Sequence, residues 1–257
     1  MLKPARTESD LPTQIAQSLL AYIRSEEMHP GDKLPSQTIL AEHLHVSRTS
    51  LREALARLQT EGLIRQVHGV GTFVAQDPHT IHSSAQLSLS ITEMLRSQGI
   101  QPDTSEVNIT ILTQAEAPPD VVRCLDLEKD EKVFCLRRVR TADGTPFAFV
   151  VAYITGGIPN LSSDPEAYRG SLYAYLEENC REFIQEADSE IEARITDKEL
   201  AERLGIPVGA PLLTLRQCHY NAEGRAIIHS TDNFVQNRMR LKIRRKRYGQ
   251  NFFQEET

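Results

Sequence analysis

Two arginines in a strand-like segment offer the clearest chemistry in this sequence of 257 residues. Arg138 and Arg140 would point to the same side of a sheet, because side chains alternate along a β-strand. Two adjacent guanidinium groups repel each other unless an anion or an acid lies between them. The pair therefore predicts an anion-binding site. A solvent-facing sheet edge, or ion pairs with Asp or Glu, would produce the same pattern.

A second group of polar residues opens a predicted helix near the N-terminus. Arg48 and Arg52 share one face of this helix, and Thr49 and Ser50 lie between them. Arginine can bind a guanine edge or a phosphate through two hydrogen bonds, and short hydroxyl side chains suit phosphates. The group favours DNA contact over the alternative, which is an ordinary solvated helix face. The opposite face carries an apolar stripe formed by Leu51, Ala54, Leu55 and Leu58.

The elements around this group predict a winged helix-turn-helix. Apolar spacing predicts a helix over 11–27, and Ser36 and Ser47 are placed to cap two further helices. Two short β-prone runs then flank a turn in which His68 and Gly69 could approach DNA. In this architecture the second helix of the pair lies in the major groove.

The remainder of the chain predicts a separate α+β domain with a mostly antiparallel sheet, because the turn signals Asp143-Gly144 and Glu223-Gly224 join strand-like runs into hairpins. We place the DNA-binding domain at 1–76, a polar linker at 77–88 and the second domain at 89–250. Predicted strands are 106–114, 132–141, 146–155, 186–196, 211–220 and 226–235, with a further strand in the basic tail 238–247. Predicted helices are 87–98, 119–125, 171–181 and 197–204.

Composition and motifs narrow the function classes. The net charge of −6 allows DNA binding only if basic residues gather on one face. No apolar run is long enough to span a membrane, and the N-terminus lacks a secretory signal, so we expect a cytoplasmic protein. The four scattered cysteines favour a reducing compartment over a disulfide framework or a zinc site. We expect no cofactor, no metal and no enzymatic activity, since the chain has no nucleophile motif, P-loop or metal motif.

The segment from Pro30 to Val74, PGDKLPSQTILAEHLHVSRTSLREALARLQTEGLIRQVHGVGTFV, resembles the GntR family of bacterial regulators without a gap. The resemblance implies DNA contacts by Arg48, Thr49, Ser50, Arg52, His68 and Gly69. Two departures affect these contacts. Gln37-Thr38 replaces a common Glu-Arg pair, and Val70 replaces a common basic residue in the wing.

The second half is similar to the HutC branch of that family, whose effector domain, called UTRA, resembles chorismate lyase in fold. Five segments carry this similarity in order: 87–102, 137–149, 170–178, 200–213 and 220–234. In sugar-phosphate-sensing relatives, the positions that match Ser90, Arg138, Arg140, Ser171 and Tyr173 hold the phosphate.

The remaining wall of the predicted effector site departs from amino-sugar sensors. Val150 and Ile228 occupy positions where those sensors carry glutamate, and Phe234 aligns nearby. The similarity therefore implies an effector with an anionic head and a less polar body, such as an organic acid or a phosphorylated metabolite.

The expected function is that of a homodimeric transcription regulator of operator DNA, by default a repressor released by its effector. Two alternatives stay open. One is an architectural DNA binder with a vestigial pocket, and the other is a lyase-like enzyme.

Overall fold

The computed structural model describes residues 11–60, 63–67, 69–75, 81–84 and 90–242. The N-terminal unit contains three helices and a hairpin: α1 (Leu11–Ser25), α2 (Gln37–His43), α3 (Arg48–Thr60), β1 (Ile64–Val67) and β2 (Gly71–Val74). This is the predicted winged helix-turn-helix.

The N-terminal unit is held by one apolar core and by side-chain caps. The predicted stripe of α3 is at most 1% exposed and packs against α1 and α2. Ser36 and Ser47 accept hydrogen bonds from the backbone N–H groups of Ile39 and Ser50, as expected for helix caps. The sequence analysis missed a short bridge between Lys33 and Phe73, through which the chain before α2 pairs with β2. This bridge fixes the wing against the helices.

The C-terminal unit is built on a six-stranded antiparallel sheet in the order β4-β5-β6-β9-β8-β7. Its strands are β4 (Pro102–Thr113), β5 (Lys132–Ala142), β6 (Thr145–Thr155), β7 (Ile184–Ile195), β8 (Pro211–Asn221) and β9 (Ala226–Val235). Its helices are α4 (Ile91–Ser97), α5 (Pro119–Leu125), α6 (Leu172–Tyr175) and α7 (Lys198–Leu204). The predicted α+β class is confirmed.

Two predicted helices differ in extent. α4 begins at Ile91 rather than at residue 87, because Ser90 and Glu93 form a reciprocal capping box. The helix predicted over 171–181 is α-helical only through Tyr175 and continues as a π-helical turn over Leu176–Cys180.

A small parallel sheet connects the predicted linker to the C-terminal unit. β3 (Ile81–Ser84) lies inside the region expected to be linker and pairs with β10 (Met239–Lys242). Ile81 and Met239 are both buried in one cluster with α4. The polar composition of this region did not indicate the strand, because its pairing partner lies far along the chain. β10 lies in the predicted tail strand, whose residues 243–247 fall outside the described residues.

One pair of cysteines contradicts the expectation that the chain has no disulfide. Cys124 of α5 and Cys218 of β8 are joined by a disulfide across 94 positions, while Cys135 and Cys180 are free and buried. Spacing along the chain could not show this pair, because the fold alone brings α5 beside β8. In the described part of the chain, no helix has the length and apolar character needed to cross a bilayer.

Candidate DNA-binding and effector-binding sites

The start of α3 presents a free basic face. Arg48, Thr49 and Arg52 are exposed, and neither arginine forms an ion pair with another described residue. Ser50 is only half-exposed, and its hydroxyl lies 2.8 Å from that of Ser47. The predicted face therefore exists, but Ser50 contributes mainly to the helix cap.

The wing turn lies at the tip of the hairpin formed by β1 and β2. Gly69 has φ +73° with open space around its Cα, a conformation that suits glycine and leaves the backbone accessible. Val70 is 53% exposed. A groove between the wing and α2 is lined by Lys33, Gln37 and Gly69, among others. His68 lies outside the described residues.

A cavity in the C-terminal unit collects most of the predicted effector residues. It lies between one face of the central sheet and the starts of α4 and α6. Six predicted residues line it: Ser90, Arg138, Arg140, Val150, Tyr173 and Ile228. Nine further residues complete the lining: Ile91, Thr92, Ala152, Gly170, Leu172, Gln217, His219, Ser230 and Asp232.

The two cavity arginines are buried, so neither lies at a solvent-facing edge. Arg138 donates from Nη1 to the carbonyl oxygens of Tyr168 (2.9 Å) and Gly170 (3.0 Å). Arg140 donates to the carbonyls of Arg169 and Gly170 and to the hydroxyl of Thr92 at 2.8 Å. Both Nε–H groups lack a partner. The arginines thus hold the loop over 168–170 with neutral acceptors and keep unused donors.

The positive charge of these arginines is not matched by an ion pair among the described residues. Burial, with a smaller contribution from the charge of Arg140, lowers the pKa of Arg138 to about 9, although the Asp232 carboxylate acts in the opposite direction. Burial also lowers the pKa of Arg140, to about 10. Both groups remain cationic at neutral pH. The carboxylates of Asp232 and Asp103 act on them without forming an ion pair, so the two positive charges are only partly compensated.

The serines at the helix starts are partly committed to caps. Ser90 accepts from the N–H of Glu93, and Ser171 accepts from the N–H of Ala174. Ser171 also donates to Ser90 at 3.3 Å but does not line the cavity. The caps therefore occupy one backbone N–H group at the start of each helix.

A polar chain that the sequence analysis missed crosses the cavity. His219 contacts the hydroxyl of Tyr173 at 2.9 Å through Nδ1 and that of Ser230 at 3.1 Å through Nε2. Burial lowers the pKa of His219 to about 4, so the ring is neutral at pH 7.

The missed residues on β9 were available from strand periodicity. Ile228 and Phe234 were both assigned to the site, and alternation places Ser230 and Asp232 on the same face between them. Phe234 itself does not line the cavity. Phe234 is 2% exposed and packs against Phe147. It pairs with Ala148 of β6, whereas the cavity residue Asp232 pairs with Val150, so Phe234 lies one step beyond the cavity along the sheet.

Asp232 makes stability depend on pH in a predictable direction. Burial raises the pKa of Asp232 to about 6, so the native state binds more protons than the unfolded state between about pH 4 and pH 6. This group therefore destabilises the protein as pH rises through that window. Asp232→Asn should raise the free energy of unfolding by about 1–3 kcal/mol at pH 7.5 and by little at pH 4.

Urea denaturation of both proteins across this range would measure the difference. Asp188→Asn, which changes an exposed carboxylate on β7, is the control and should have little effect. His219 acts in the opposite direction, because its lowered pKa removes stability as pH falls from about 6.5 to about 4. Because both proteins contain His219, its contribution cancels when the free energy of unfolding of the variant is compared with that of the wild type at the same pH. A variant without a stability gain at pH 7.5 would refute the assignment.

Comparisons with known proteins agree with this two-part architecture. Residues 11–74 match the model of the gntR family of bacterial regulatory proteins, and residues 97–240 match the UTRA domain. The HTH-type transcriptional regulator Rv0792c of Mycobacterium tuberculosis is 32% identical over 88% of this chain and 82% of its own length. The HTH-type transcriptional repressor NagR of Bacillus subtilis is 29% identical over 84% of this chain and 87% of its own length.

A solved structure shares the fold. PhnF from Mycobacterium smegmatis aligns with a TM-score of 0.61 at 23% identity, over 91% of this chain and all of that one. The curated relatives named above are transcription regulators rather than enzymes, in agreement with the expected class. The chain therefore belongs to the GntR family of DNA-binding transcription regulators and carries a UTRA domain behind its helix-turn-helix.

Proposed function

We propose that this regulator is a repressor that binds operator DNA as a homodimer and releases it when a small anionic metabolite enters the C-terminal cavity. The observation that carries the proposal is the pair of buried cavity arginines, neither of which forms an ion pair with a described residue. The relative NagR is itself described as a repressor.

The arginine pair favours a charged ligand over a neutral one. Arg138 and Arg140 are 5% and 1% exposed, and the carbonyl and hydroxyl oxygens around them carry no net charge. Burying a charge is costly unless an opposite charge compensates it. A carboxylate or phosphate would supply that charge and would accept the unused guanidinium donors. An organic acid and a phosphorylated metabolite both satisfy this requirement.

Helix α4 offers a physical route from the cavity to the DNA-binding unit. Its start lies at the cavity, where Thr92 accepts a hydrogen bond from Arg140. At its other end, the carbonyls of Arg96 and Gln98 accept hydrogen bonds from Gln17 (3.0 Å) and Arg24 (2.7 Å) of α1. A ligand that binds preferentially to one position of α4 would therefore bias the position of α1.

Dimerisation follows from how such modules recognise DNA. One helix-turn-helix contacts a half-site, and two copies related by a two-fold axis recognise a palindromic operator. An architectural binder with a vestigial pocket would also form such complexes, but ligand would not change them.

The test is a thermal-shift screen of anionic metabolites, followed by operator release. A ligand that binds the native state raises the unfolding midpoint by mass action. Arg138→Gln should abolish the shift, while Arg137→Gln, on the same strand but exposed, should keep it. Compounds that stabilise both variants equally would show that the buried arginines are structural. Compounds that bind without releasing operator DNA would contradict effector control.

A further inference from the structure

The cavity holds a buried carboxylate as well as the two arginines. Asp232 is 6% exposed and lines the cavity. Its Oδ1 has no hydrogen-bond partner. The Ser230 hydroxyl and the charge of Arg138 stabilise the carboxylate, but no described residue forms an ion pair with it. Buried polar atoms in native proteins are nearly always satisfied, so an orphaned carboxylate oxygen beside a cavity indicates a missing partner.

Sheet register places this carboxylate opposite the anion-binding end. Arg138 pairs with Val150, and Val150 pairs with Asp232, so these three residues form one row across β5, β6 and β9. Directly opposed residues share a face of the sheet, and all three line the cavity. Adjacent strands lie about 4.8 Å apart, so the Cα atoms of Arg138 and Asp232 are about 10 Å apart. The apolar side chain of Val150 separates the two charged ends.

The protein does not complete this charge arrangement itself. Arg138 uses Nη1 for the carbonyls of Tyr168 and Gly170 and forms no ion pair with Asp232. A hydroxyl group of a ligand could satisfy the Oδ1 atom but would leave the negative charge buried. A protonated amine would satisfy both the hydrogen bond and the charge.

We therefore propose that the effector is zwitterionic: its anionic group binds at Arg138 and Arg140, and a protonated amine binds Asp232. This inference rests on the proposed function and narrows its ligand class to amino acids, amino phosphates or similar metabolites. Burial raises the pKa of Asp232 and outweighs the opposite effects of the Ser230 hydroxyl and the Arg138 charge, which agrees with a carboxylate that no described cation contacts directly.

The experiment compares anions that differ by a single amine. Suitable pairs are 4-aminobutyrate with butyrate and O-phosphoethanolamine with ethyl phosphate. Each is titrated into the full chain at pH 7.5 and followed by the unfolding midpoint. In at least one pair, we expect the amine-bearing member to bind about tenfold or more tightly, as one charge-assisted hydrogen bond allows.

Two variants make the result specific. Asp232→Asn should bring that ratio close to one while binding of the plain anion persists, and Asp188→Asn, on exposed β7, should keep the ratio. If each plain anion binds as tightly as its amine-bearing counterpart, the zwitterion inference is wrong, and the result supports only the anion site at Arg138 and Arg140. If all four compounds leave the midpoint unchanged, both proposals fail. If the preference persists in Asp232→Asn, another group holds the amine and the assignment is wrong.

Discussion

Reduction of the disulfide between Cys124 and Cys218 should lower the free energy of unfolding by about 2–5 kcal/mol. The bond joins residues that are 94 positions apart, so it closes a long loop in the unfolded chain. Closing such a loop restricts the unfolded ensemble, and the restriction grows slowly with loop length. The bond also ties α5 to β8, immediately before the cavity residue His219.

Urea denaturation with and without a phosphine reductant measures this effect. Cys124→Ser should reproduce the reduced midpoint, and reductant should not shift that variant further. Cys135 and Cys180 are free in the structure and provide no second bond for the reductant to break. A wild-type midpoint that reductant does not change would show that the bond contributes no stability in solution.

The second large effect concerns operator binding. Arg48→Ala and Arg52→Ala should each weaken operator affinity by about 10–100-fold, because a good bidentate arginine contact contributes about 1–3 kcal/mol. Both side chains are exposed on α3 and form no ion pair with a described residue, so their removal should leave the fold intact. An operator selected from a random duplex library would serve as the probe.

The matched control lies on the same helix. Arg57 is further along α3 and donates to the hydroxyl of Thr13, so Arg57→Ala should change operator affinity much less. If the lost contact is to a phosphate, the slope of log affinity against log salt concentration should become shallower by about one. If the lost contact is to a base, the variant should discriminate less between operator sequences. Equal affinity of the three alanine variants would contradict the assignment of the α3 face.

Much of the fold was predictable because its signals are local. The stripe of α3, the capping serines and the Asp143-Gly144 hairpin turn each depend on residues within a few positions of one another. Local rules of periodicity, capping and turn chemistry are sufficient for such elements. The arginine pair was found for the same reason, since two positions on one strand determine a shared face.

The features that escaped prediction depend on contacts between distant segments. The Cys124–Cys218 bond and the pairing of β3 with β10 join segments that the sheet brings together only after folding. Asp232 was missed for a different reason. The resemblance to the HutC branch assigns Ile228 and Phe234 to the effector site but does not include Asp232. Strand alternation places Asp232 on the same face as these two residues.

The sheet places the proposed ligand-binding residues and the core cluster under α7 on opposite faces. On β9, Ile228, Ser230 and Asp232 line the cavity, whereas Val235 packs with Leu200 of α7 in a different core cluster. Because alternation assigns these positions to opposite faces, selection can exchange cavity side chains while the cluster under α7 stays unchanged. Ligand preference can therefore diverge between related regulators through a few substitutions on one strand, without loss of the scaffold that carries the DNA-binding unit.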